Sequence, residues 1–148
     1  IDCFQLFETY SGIISNEDYK NFILPLSTKI LLEARESGVP TIFFPKNFNE
    51  GLKYINKEMC DYVSVDYDIS LDNARNFLDS EVGIQGNMDP KIFYQEIDEI
   101  ENYLKSLIDF GSKNTDWIFN LGHGFRPDID HIKVKYVVEW IKNANWKR

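Results

Sequence analysis

The sequence predicts an α/β protein built on a parallel sheet. Three observations carry that expectation: short apolar runs alternate five times with amphipathic stretches, the runs are apolar on both faces, and they are too short for helices. The runs are residues 1–7, 41–45, 62–66, 82–85 and 117–121, rich in Ile, Val, Phe and Trp. Five such units are too few for a closed eight-stranded barrel, which takes roughly 250 residues. The pattern therefore allows an open doubly wound sheet or part of a barrel. No linker, low-complexity tract or repeat divides the chain, so its 148 residues read as one domain.

The stretches between the runs read as helices in turn. Phe22, Leu26, Ile30 and Ala34 share one helical face, with Ser15 or Asn16 as cap, Gly38 as stop and a kink at Pro25. Residues 49–59 read as a shorter helix. Leu71, Ala74 and Leu78 mark another, capped by Ser70. Ile97, Ile100, Leu104 and Leu107 mark a longer one that stops before Gly111, and Val134, Val137, Val138 and Ile141 mark the last.

Charge narrows the partners. The formal net charge is −8 and the lysines are scattered among acids, which disfavours nucleic acid and anionic membrane surfaces. No signal peptide and no long apolar span occur, and Cys3 and Cys60 form no metal-ligand spacing. Two free buried thiols in a reducing, cytoplasmic setting are expected. The chain opens "IDCFQLF", inside a strand and without Met, and so reads as a piece of something longer.

Parallel α/β folds place their sites at the carboxyl ends of the strands. The five loops there are "FETYSG", "FPKNFNEG", "DYDIS", "IQGNMDP" and "NLGHGFRPD". None is a phosphate loop, a dinucleotide fingerprint, a nucleophile elbow or a zinc-protease helix. In the last loop Gly122 and Gly124 allow unusual backbone angles and leave the His123 imidazole unobstructed for a ligand. The alternative is a plain tight turn with His123 capping a helix. Gln85 and Asn87 can present amides to a ligand, or Asn87 or Asp89 can cap the helix opened by Pro90; capping is expected of Asp89. Thr9, Lys46 and His131 read as an ordinary loop hydroxyl, a solvated lysine and a surface histidine.

Four motifs in order, "QLFETYSG", "YVSVDYDISLDNAR", "GIQGNMDP" and "IFNLGHGFRPD", resemble the C-terminal part of the uroporphyrinogen decarboxylase family, and "FILPLSTKI" fits as well. The resemblance implies that residues 1–148 are the C-terminal five βα units of a TIM (β/α)8 barrel whose N-terminal part is missing. It implies a cytoplasmic, cofactor-free carboxy-lyase, commonly a homodimer, that turns the four acetate arms of uroporphyrinogen III into methyl groups, giving coproporphyrinogen III. Thr9 and His123 fall on the family's substrate-contacting hydroxyl and histidine, and Phe7 on an aromatic of the pocket wall. The family's substrate arginines, pyrrole-binding aspartate and tyrosine lie upstream and have no counterpart here, so no catalytic residue and no metal ligand is assigned.

Two rival readings differ from this one at identifiable residues. Zinc- and corrinoid-dependent methyltransferases of the same superfamily place thiolates where this chain has Phe44-Pro45-Lys46 and His123, and no thiolate zinc site can be built from those. A non-catalytic α/β binding domain would not need polar, glycine-bearing loops gathered at one end of the sheet.

Overall fold

A computed structural model describes residues 1–146. Five parallel strands, β1 (Phe4–Glu8), β2 (Thr41–Pro45), β3 (Tyr62–Ser64), β4 (Gly83–Met88) and β5 (Trp117–Leu121), pair in sequential order. In register, Phe7 stands beside Phe44, Ser64 beside Gln85, and Asn87 beside Asn120. A doubly wound sheet reverses its order at a switch point. Here the order never reverses, as in a barrel wall.

Curvature is visible in one bond. Strands β1 and β4 stand three steps apart, about 14 Å along a flat sheet. The Gln85 amide nitrogen nevertheless lies 3.4 Å from Gln5 Oε1, so the two side chains converge on a concave face. All six residues of β4 are buried, whereas edge strand β5 alternates half-buried with exposed.

Helices cover the convex face. The Ser15 hydroxyl accepts the Asp18 N–H and opens α1 (Asn16–Asp18), which runs through a π-helical turn at Tyr19–Ile23 into α2 (Leu24–Arg35). Then come a 3-10 turn at Asn49–Tyr54, α3 (Leu71–Phe77), a 3-10 turn at Pro90–Tyr94, α4 (Ile97–Ser106), α5 (Ile108–Lys113) and α6 (His131–Asn143). Ser70 caps α3 as expected, accepting the Asn73 N–H at 3.2 Å. Asp89 caps the turn that Pro90 opens, accepting from Lys91 at 2.8 Å. Between strands and helices Phe43, Val63, Ile84, Leu31, Ile100 and Leu104 are fully buried.

Four local expectations are corrected. The stripe Phe22, Leu26 and Ile30 faces outward, with Phe22 68% and Leu26 61% exposed, while Tyr19, Leu24, Ser27 and Leu31 face the core. The π turn is the reason. Its wider loop, closed by Leu24 N–H on Tyr19 O, inserts a residue and rotates the apolar frame. Residues 49–59 give only the 3-10 turn Asn49–Tyr54. Gly111 lies inside α5 instead of ending a helix, because Trp146 and Trp117 press so close that a Cβ there would stand 2.8 and 2.9 Å from their rings. Of the two thiols only Cys60 is buried, its pKa pushed by burial up to about 12; Cys3 precedes β1 and is exposed.

Opposite the carboxyl ends, polar hubs tie strand entrances together. Asp61 accepts Lys57 Nζ at 2.9 Å, Arg35 at 3.4 Å and the Thr41 N–H at 2.9 Å. Arg75 binds Asp116 at 3.0 Å and the Val82 carbonyl at 2.8 Å.

Candidate functional site

The carboxyl-end loops are bound to one another through Asp66. Its side chain is nearly fully buried and accepts the backbone N–H groups of Asn47 and Asp68. Asn47 stands in the left-handed region at φ 58°. The Asp66 carbonyl accepts Asn87 Nδ2 at 2.8 Å, and the same nitrogen donates to Ile69 O. Asn87 is therefore a strut between β4 and the β3 loop, with its amide directed at backbone. Ser11 Oγ donates to Lys46 O and joins the β1 loop to the β2 loop.

The β5 loop rests on this frame. Gly122 packs so tightly that a Cβ would stand 2.4 Å from Tyr67 N. Positive φ is not the reason for either glycine: among the described glycines only Gly38 and Gly86 have it, and a Cβ on Gly124 would meet nothing within 4 Å. Close approach demands Gly122, and open space surrounds Gly124. Further along, Phe125 packs against Phe93 with ring centroids 5.6 Å apart and planes tilted by 50°, and Asp128 accepts the Tyr94 hydroxyl at 2.9 Å. The loop is held at both ends, and His123 stands between them.

His123 is exposed, and its nearest polar neighbour is the Gly124 carbonyl, 3.5 Å from Nδ1. It does not cap a helix; α6 is capped by Asp130, and His131 is a surface residue beside that cap. The Gly122–His123–Gly124 turn closes one side of a cavity of about 180 Å³ whose other walls are Gln5, Phe7, Phe44, Ser64 and Asn120. Phe7 meets Phe44 edge to face at 5.9 Å. The structure thus brings Phe7 and His123 to one cavity. Thr9 sits on the exposed turn two residues beyond Phe7, outside the lining. Lys46 is half-buried at the end of β2. Gln85, read from the sequence as able to present its amide to a ligand, is buried and directs that amide at Ser64 Oγ and Gln5 Oε1, outside the cavity lining. Gln5, Ser64 and the Asp66 hub are not distinguished by the sequence; the "DYD" loop held the only signal for Asp66.

His123 is the one titratable side chain among the residues lining this cavity, and no carboxylate lines it. A groove of about 230 Å³ beside Trp117 and Trp146 lies on the far side of β5 and offers aromatic walls without any ionisable group. Among the described residues no three His, Cys, Asp or Glu side chains gather as metal ligands.

Sequentially ordered parallel strands, helices on one face and a histidine-bearing cavity at the strand ends define an α/β protein of the kind that binds ligands above its carboxyl edge. The chain belongs to the uroporphyrinogen decarboxylase (URO-D) family, whose model matches residues 1–144. It is 33% identical over 142 residues to the uroporphyrinogen decarboxylase of Vesicomyosocius okutanii subsp. Calyptogena okutanii, covering 95% of this chain and 41% of that protein. Against the Geobacter sulfurreducens enzyme the identity is 31%, over 97% of this chain and 42% of the relative. Against that of Francisella philomiragia it is 36%, over 93% and 41%. The chain spans about two fifths of the length of these relatives, and its five βα units are consistent with a C-terminal portion of a TIM barrel.

Proposed function

We propose that this chain supplies the histidine-bearing side of the substrate site of a uroporphyrinogen decarboxylase. One observation carries the reading: on a chain of net charge −8, the cavity under His123 is walled by neutral residues, with the imidazole displayed at its rim. A polycarboxylate meets no repelling acid there, and an imidazole N–H can hydrogen-bond a substrate carboxylate. Phe7 and Phe44 supply an apolar wall for a pyrrole ring, and Thr9 offers a hydroxyl on the adjoining turn. The cationic groups that bind the remaining carboxylates come from the rest of the enzyme.

The chemistry needs no cofactor. Protonating a pyrrole carbon makes an electron sink. The bond between the acetate methylene and its carboxylate breaks, the electron pair enters the ring, and carbon dioxide leaves. A proton then adds to the methylene carbon, giving methyl, and the ring proton is released. Repeated at four arms, this turns uroporphyrinogen III into coproporphyrinogen III. The chain's part is to hold an acid arm in place, which lowers the barrier through orientation. The reading carries with it a cytoplasmic homodimer, for which exposed Phe22 and Leu26 offer apolar surface to bury.

The test is decarboxylation by a full-length enzyme containing this chain. His123→Asn lowers kcat/KM for uroporphyrinogen III by about tenfold to a hundredfold, the worth of one hydrogen bond to a charged group. Unchanged kcat/KM overturns the role of His123. Residues 1–148 alone give no turnover, and measurable coproporphyrinogen from them contradicts the division of labour.

A further inference from the structure

Below His123, hydrogen-bond direction sets which groups face the cavity. Gln85 is nearly fully buried, and its Nε2 lies 3.1 Å from Ser64 Oγ and 3.4 Å from Gln5 Oε1. An amide nitrogen carries two hydrogens, so Gln85 directs one to each acceptor. That orientation leaves the other half of each partner free. The Ser64 hydroxyl keeps its own hydrogen, and the Gln5 amide keeps both of its N–H groups. Neither has another partner among the described residues, and both residues line the cavity that His123 rims. Three donor-bearing side chains from β1, β3 and the β5 loop therefore converge on one space.

That space suits an acid arm. Its volume is about 180 Å³, below the roughly 300–1,000 Å³ of pockets that enclose whole ligands. It takes a side arm, with the body of the ligand remaining above the strand ends. Donors without acceptors are costly in a half-buried site, and an ionised carboxylate offers about four acceptor positions. No carboxylate of the protein lines the walls to compete.

We infer that Gln5 and Ser64, held in one polarity by Gln85, form with His123 a subsite for a single carboxylate arm of the substrate. Gln85 is the positioning residue; Gln5 and Ser64 make the contacts. The inference rests on the reading of the His123 cavity as a substrate site and adds the groups that grip the arm.

The experiment titrates a 15N-labelled full-length enzyme containing this chain with acetate, using acetamide as the neutral isostere and sodium chloride at matched ionic strength. Acetate moves the Gln5 side-chain amide and His123 ring signals saturably, and acetamide and chloride do not. Gln5→Leu and Ser64→Ala each weaken acetate binding by about fivefold to tenfold, and His123→Ala does the same. Gln5→Glu keeps the acceptor that Gln85 holds but replaces the donors with charge, and abolishes binding in a chain of unchanged size. Gln85→Met leaves Gln5 free to rotate, and its amide pair loses its response to acetate while the enzyme still melts cooperatively. Acetate binding that falls with His123→Ala but ignores Gln5→Leu, Gln5→Glu and Ser64→Ala overturns the subsite and leaves the His123 reading standing. Binding that ignores His123→Ala, or no acetate binding at all, overturns both.

Discussion

Replacing Gly122 by alanine tests how the β5 loop is seated. The added Cβ would stand 2.4 Å from Tyr67 N and 2.8 Å from the Asp66 carbonyl carbon. Both obstacles are backbone, and Asp66 is anchored by bonds to Asn47, Asp68 and Asn87, so neither can swing aside as a side-chain tip would. Ordinary contact needs about 3.5–4 Å between heavy atoms, so the loop must lift by about 1 Å. Overpacking of that kind costs about 1–3 kcal/mol. For a chain of this size it lowers the melting midpoint by about 2–4 °C per kcal/mol, hence roughly 2–12 °C. Gly124→Ala is the internal control, since a Cβ there has no neighbour within 4 Å. Urea unfolding followed by far-UV circular dichroism measures both, and in the full enzyme the same displacement costs about a hundredfold in rate. Equal stability of Gly122→Ala and Gly124→Ala would refute close packing as the reason for the first glycine.

Further outcomes follow from the same contacts. Leu31→Ala, at a fully buried position, loses about 2–5 kcal/mol, whereas Leu26→Ala, 61% exposed, changes stability by less than about 0.5 kcal/mol; the reverse order in chemical denaturation would restore the outward stripe to the core. Asp66→Ala strips acceptors from the Asn47 and Asp68 N–H groups and costs about 2–4 kcal/mol; hydrogen exchange at those two amides should quicken, and unchanged protection would dismiss the hub. Burial pushes the Asp61 carboxyl up, but Lys57, the Thr41 N–H and Arg35 outweigh it and hold its pKa below the usual carboxylate value. A depressed folded-state pKa stabilises above the unfolded value and loses that contribution as pH falls through the folded one. Asp61→Asn should accordingly flatten the acid limb of the stability profile below the ordinary aspartate range, and an unaltered limb would place the acid sensitivity elsewhere.

Much of the frame was legible because its causes are local. Strands β2 and β5 fall where the apolar runs stand. The caps at Ser15, Ser70 and Asp89 involve bonds to residues two or three positions on. Gly38 ends the α2 segment with φ +80°, a conformation that glycine adopts without penalty. The outward stripe on α2 was not legible, since periodicity assumes an unbroken 3.6-residue turn and the π segment interrupts it. The displayed histidine was legible as a loop feature, but the reason for Gly122 was not, because the backbone it presses on lies more than fifty residues away.

By itself the sequence determined the five βα units, their order along the chain, and a histidine on a glycine-flanked loop beyond the last strand. Hydrophobic period, caps and turns act over a few residues, and a single chain displays them openly. Only the tertiary structure decided that the sheet curls, that Gln85 reaches Gln5 across eighty positions, and that Asp66 joins the loops at the carboxyl edge. Those contacts depend on strand register and sheet curvature, which arise when distant segments pack together and are encoded in no short window of residues.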